Sequence, residues 1–192
     1  MTASATIVCA DLIRPSKRTY ALAYDAALVV AGSALIALSA HLKVYLPFSP
    51  VPVTGQTFAV LFLGALLGSK RGSLAVAAYV IEGIVGIPVF AGGASAAYLF
   101  GPTGGYLAGF LAGAYLTGWF SEHGFDRSWF GSVLSIALGE VLVFGFGVAW
   151  LSHFMGANAF AAGLVPFIPG EIVKIAIASS LLPAGWKLIK KG

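Results

Sequence analysis

The chain alternates long apolar runs with short breaks that hold its prolines, most of its charges and many of its glycines. Six apolar runs predict six helices: residues 20–45, 57–68, 73–87, 103–121, 129–154 and a last one starting near 166. The longest of them exceed the ~20 residues that a ~30 Å hydrocarbon core requires. The second is short for a span, and such elements survive in a bilayer only where protein or a cavity covers their free backbone groups. Before it stand Pro47, Pro50 and Pro52, which cannot sustain a helix, so residues 47–56 read as an outer loop able to dip into the membrane. Residues 88–106 carry no charge at all. Their glycines let backbone approach a ligand and present amide donors, and Tyr98, Phe100 and Tyr106 can wall an apolar pocket. A bland outer loop is the competing reading. Small residues repeat every fourth position at Ala23, Ala27 and Ala31, and again at Gly101, Gly105, Gly109 and Gly113, and either ridge would let another helix come close. Asp25 falls near the start of the first helix, where a carboxylate favours the N-terminus.

Composition turns these runs into spans. Of 192 residues, 59% are hydrophobic and 9% charged, and the mean hydropathy is +0.93. No soluble domain of this length tolerates that on its surface. The expected fold is an all-α integral membrane protein: a cytoplasmic arm at 1–19 and one six-helix domain at 20–192, in contact with the lipid bilayer. Six spans put both termini on one side. Arg14, Lys17, Arg18, Lys70, Arg71, Arg127, Lys187, Lys190 and Lys191 fall at that face and Lys43 at the other, so the termini are expected in the cytoplasm and the Pro-rich and Gly-rich loops outside. The net charge of +4 thus reads as topology and not as nucleic-acid affinity. The apolar run at 21–40 is too long for a cleaved signal and is expected to remain as a span. Cys9 is the one cysteine, which excludes an internal disulfide and a thiolate metal site.

Acids within the apolar runs are the candidate chemistry. Glu82 and Glu140 each lie amid apolar residues, and Glu171 and Lys174 stand three apart in the last helix. Each central charge costs roughly 2.5 to 3.5 kcal/mol on an insertion scale, while each Leu, Ile, Val or Phe returns about 0.3 to 0.6. The eight such residues from Phe167 to Leu182 do not offset the pair. Lipid is therefore excluded as their surroundings, and at i and i+3 they share one face that must look into protein or a cavity. Two readings stay open: a binding site, or two charges that neutralise each other as a packing device. As a site, Lys174 would attract an anion, Glu171 would accept from N–H groups, and the aromatic walls would suit a ligand with a sizeable apolar body. His41, His123 and His153 lie on separate segments at no metal-ligand spacing, so neither a metal nor another cofactor is expected. Gly64 to Lys70 lacks the order of a phosphate loop, and Gly145-x-Gly147 lacks the third glycine and the strand of a dinucleotide site.

Four blocks carry a resemblance: VPVTGQTF (51–58), GIPVFAGG (86–93), GPTGGYLAGF (101–110) and PFIPGEIVK (166–174). In this order they resemble the BioY family, the biotin-capturing S components of energy-coupling factor (ECF) transporters, over residues 21–187. The resemblance implies six helices, a site for biotin near the outer face of the bacterial cytoplasmic membrane, and partnership with a membrane scaffold subunit and two ATPase subunits. With biotin as ligand, the expected binding residues are Glu171, Lys174, Gly92, Gly93, Tyr98, Gly104, Tyr106 and Gln56, and the resemblance implies scaffold docking on Ala23, Ala27 and Ala31. The family usually has Asp where Glu171 stands, and many members have a basic residue at the place of Ala94. An S component for another vitamin would share the architecture. An intramembrane enzyme would need a nucleophile with its base, as in G-x-S-x-G or H-E-x-x-H, and neither occurs.

Overall fold

The computed structural model describes residues 7–93 and 96–189. In chain order its elements are α1 (Arg18–His41), β1 (Lys43–Val44), β2 (Val53–Thr54), α2 (Gln56–Leu67), α3 (Ser69–Ile84), α4 (Ala96–Phe100), α5 (Gly104–Glu122), α6 (Trp129–Met155), α7 (Ala159–Gly163) and α8 (Ile168–Ile189). Six are long, matching the six predicted runs with ends shifted by up to four residues. The loop at 47–52 is instead the tip of a hairpin: β1 and β2 pair antiparallel, with Lys43 opposite Thr54. Strands of two residues leave too little alternation to be seen in the sequence.

At the centre stands α2, which packs against α1, α3, α5, α6 and α8. Its 12 residues rise only about 18 Å, less than a bilayer core. Val60, Leu61, Leu63, Gly64 and Ala65 are all buried, so protein covers most of it, and a stripe of Phe58, Ala59, Phe62 and Leu66 is half-buried. The most extensive helix contact joins α5 to α6, and glycine lets the two come close. A Cβ on Gly105 would lie 2.2 Å from the Cβ of Trp150, and one on Gly109 would lie 2.7 Å from the Cα of Val143. The alanine ridge behaves differently: Ala23, Ala27 and Ala31 are all exposed, facing away from the bundle. Leu22, Val30, Leu35 and Leu38 on α1, and Ile172, Val173 and Ile177 on α8, are also exposed, a coat suited to lipid. By length and composition, α1 and the stretch Trp129–Leu188 contain helices able to cross a membrane.

One end of the bundle collects the charges. Arg14 holds Asp25 through two bonds of 3.0 and 2.6 Å, and Arg71 joins Asp25 (2.9 Å) to Asp11 (2.7 Å). The reading of Asp25 as a helix N-terminal charge is corrected by this: α1 begins at Arg18, so Asp25 lies beyond the first turn and serves two guanidinium groups. Glu122 accepts from both the amide and the hydroxyl of Ser69 at 2.8 Å, capping α3 across the tight turn at Gly68 (φ 86°). On the same end, the indole N–H of Trp186 donates to Asp126 at 2.6 Å while Arg127 lies 4.9 Å over the indole ring.

Candidate functional site

Beneath the β1–β2 hairpin, at the opposite end from those charges, the start of α2 meets α8. Thr57 donates its hydroxyl to Glu171 Oε2 at 2.8 Å. Lys174 Nζ then donates to Glu171 Oε1 (2.8 Å), Thr57 Oγ1 (2.9 Å) and the Thr54 carbonyl (2.6 Å). An ammonium has three protons, and all three are used. Glu171 is 6% exposed. Beside it, the Thr54 hydroxyl donates to Gln56 Oε1 at 3.2 Å, and Gln56 Nε2 donates to the fully buried Tyr79 hydroxyl at 2.6 Å. Glu140, from the middle of α6, reaches the same cluster: it is 6% exposed and lies within hydrogen-bonding reach of Glu171.

These polar groups floor a cavity of about 40 Å³. Gln56, Thr57 and Glu171 face it, Tyr106, Leu107, Phe110 and Phe167 wall it, and Val51, Pro52 and Tyr98 close it toward the hairpin. Tyr106 is locked, with its hydroxyl donated to the Gly163 carbonyl at 2.7 Å and its ring edge-on to Phe144. Tyr98 stacks on Phe90, which meets Tyr79 edge-on. The Gly-rich loop is tied to the hairpin through the Ala91 carbonyl, which accepts from both Lys43 and the Tyr45 hydroxyl. At the loop's far end, Trp150 on α6 donates its indole N–H to Gly101 at 2.9 Å.

Four of the expected residues therefore face one cavity: Gln56, Tyr98, Tyr106 and Glu171. Lys174 does not line it and stands behind Thr57 and Glu171. Gly92, Gly93 and Gly104 do not line it either. The amides of Gly93 and Gly104 already donate to Phe90 and Gly101 (2.9 and 3.1 Å), Gly93 has a φ of 104°, and a Cβ on Gly92 would strike the Tyr98 ring at 2.8 Å. Phe100 is 69% exposed and faces away, while Ala94 lies outside the described residues. Sequence reasoning passed over Thr54, Thr57 and Phe167, although all three lie inside quoted blocks. It noted Glu140 as a mid-helix acid but had no means of bringing it to Glu171 across 31 positions. Each of the three histidines bonds a carbonyl of its own helix, and no cluster of three metal-ligating residues occurs among the described residues.

The chain and its fold are similar to known proteins. The model of the BioY family matches residues 12–191. The chain is 38% identical over 152 residues to the biotin transporter BioY of Thermotoga maritima, covering 77% of this chain and 86% of that one. It is 38% identical over 158 residues to a probable biotin transporter BioY of Pyrococcus horikoshii, covering 81% and 92%. The crystal structure of an S component for biotin from an ECF-type ABC transporter superposes with a TM-score of 0.79 at 27% identity, over 93% of this chain and 96% of that one.

Proposed function

This chain belongs to the BioY family, and from that premise we propose that it captures biotin as the substrate-binding S component of an ECF-type transporter in the cell membrane. It is a transport protein and not an enzyme. The observation that carries the reading is the buried carboxylate of Glu171 facing a cavity walled by Tyr106, Phe110 and Phe167, inside the family's own sequence blocks. Glu171 still has lone pairs to accept ligand N–H groups, and the aromatic walls suit the ligand's apolar rings. Lys174 acts through Glu171 and Thr57, pairing with the carboxylate and aiming it. The ligand's own carboxylate is left to groups nearer the hairpin. Small-molecule sites usually span about 300 Å³ or more, so the hairpin and the Gly-rich loop must move outward to admit biotin into a cavity of about 40 Å³.

The charged end, with Arg14, Arg71 and Arg127, is cytoplasmic, and the hairpin and Gly-rich loop face outward. Cys9 would report this poorly, since burial and the nearby Asp126 push its thiol up to about 11. Ser16→Cys and Asn158→Cys, each with Cys9→Ser, are exposed alternatives. A membrane-impermeant maleimide should label position 158 and not position 16 in intact cells. The scaffold subunit docks on Ala23, Ala27 and Ala31, whose exposure on α1 supports a close helix contact there. With no Walker motif, the chain depends on the two ATPase subunits for concentrative uptake. Calorimetry of the purified protein should give one biotin per chain. Absence of biotin binding, with native mass spectrometry finding a different vitamin, would replace biotin with that vitamin on the same architecture.

A further inference from the structure

Glu140 is a buried acid with no assigned partner. It sits mid-way along α6, 6% exposed, and its Oε2 has no hydrogen-bond partner. Its polar neighbour is Glu171, itself a carboxylate. The nearby cation is already committed, because Lys174 spends its three protons on Thr54, Thr57 and Glu171. Thr57 likewise gives its one proton to Glu171. Glu140 and Glu171 both border an apolar groove between α6 and α8, where Phe144, Val148, Leu164 and Ile168 offer no donor. Titratable groups on the packed elements are few. From α8 come Glu171 and Lys174, with Lys187 at the far, charged end beside Asp126 and Arg127 of the turn before α6, while α2 and α7 carry none. On α5, Tyr106 is bonded to Gly163, Tyr115 is exposed, and Glu122 caps α3 at the far end.

We propose that Glu140 is held as the un-ionised acid and donates its proton to Glu171, so that the buried cluster contains one ammonium, one carboxylate and one neutral carboxylic acid. Two carboxylates that share a site with one cation repel, and neither has water to spread its charge into; a proton between them removes that cost and supplies the missing hydrogen bond. The proton belongs to the pair, and it resides on Glu140 because Lys174 and Thr57 both favour the charge on Glu171. This makes Glu140 a positioning residue for the biotin site. It fixes Glu171 from behind and keeps the cluster neutral overall before an anionic ligand arrives. Ionising it would set an extra negative charge behind the cavity.

The claim about the proton stands apart from ligand identity, whereas the claim about binding rests on the biotin reading. Infrared difference spectra of ligand-free protein at neutral pH test the first. A carboxylic-acid carbonyl band should appear in wild type, shift with carboxyl-labelled glutamate, and vanish in Glu140→Gln. The isotope shift needs only wild type, so a variant that does not fold leaves the test intact, and absence of a protonated glutamate band overturns the proposal. Calorimetry with biotin from neutral to alkaline pH tests the second. Wild type should lose affinity about tenfold or more as the pair gives up its proton, and Glu140→Gln, which keeps a donor without charge, should lose distinctly less. Identical pH profiles would overturn the coupling to binding. Failure of wild type to bind biotin at neutral pH would instead count against the biotin reading and leave the infrared result standing.

Discussion

Lys174 is the residue whose reading changed most. Its spacing from Glu171 placed both on one helix face, and that is where they are, at 2.8 Å. Its role as a direct anion contact was legible only as a charge, because nothing in the sequence says that Thr54 and Thr57 absorb its other two protons. Removing it leaves Glu171 buried without its cation. Lys174→Ala is therefore expected to weaken biotin binding by about 2 to 5 kcal/mol in calorimetry, more than an exposed pair would cost. The double substitution Lys174→Met with Glu171→Gln separates binding from mere neutralisation. It should fold, since no unpaired charge remains, yet bind poorly. Near-native affinity would reduce the pair to a packing device. Thr57 escaped notice because a threonine beside a proline-rich loop has a dozen ordinary roles, and only the approach of α8 selects this one.

Among the elements, the helices were readable because prolines, glycines and charges punctuate the apolar runs. The short helices α4 and α7 were not, being single turns that tertiary contacts hold in place against a costly nucleus. The two small-residue ridges read alike in sequence and part company in space: glycines 105, 109 and 113 are closed against α6 or α2, and the alanines of α1 are open. Ala27→Leu should thus leave biotin affinity unchanged while cutting uptake by the assembled transporter, as the larger side chain keeps the scaffold away. Loss of both together would place that face inside the subunit's own packing. At the charged end, the turn before α6 is clasped to α8 through Asp126 and Trp186. Burial raises the Asp126 pKa, opposed by the Trp186 bond and by Arg127. A carboxyl raised in the folded state contributes most below its unfolded value of about 3.9 and loses that contribution as pH climbs through the folded value. Asp126→Asn should therefore gain stability relative to wild type in thermal unfolding as the pH rises above about 4. A difference that is flat with pH would mean that Asp126 stays ionised throughout.

For the whole molecule, the bundle divides labour by depth, with charges at one end, glycine-tight helix crossings through the middle and a small cavity under the hairpin at the other. The sparse charge count made this division visible early, since so few residues could mark the ends. What stayed hidden was how narrow the cavity is. A space of about 40 Å³ holds a water or two, not a bicyclic vitamin. Entry must then wait for the closed form to open, and the consequence is kinetic. The observed association rate should rise with biotin concentration and level off at the opening rate, whereas unhindered docking would keep rising in proportion to ligand. Trp150, bonded to Gly101 where the Gly-rich loop joins α5, provides the signal for stopped-flow fluorescence. Once biotin is inside, the same gate slows its escape, so a subunit of this shape would hold its vitamin through many encounters with the rest of the transporter.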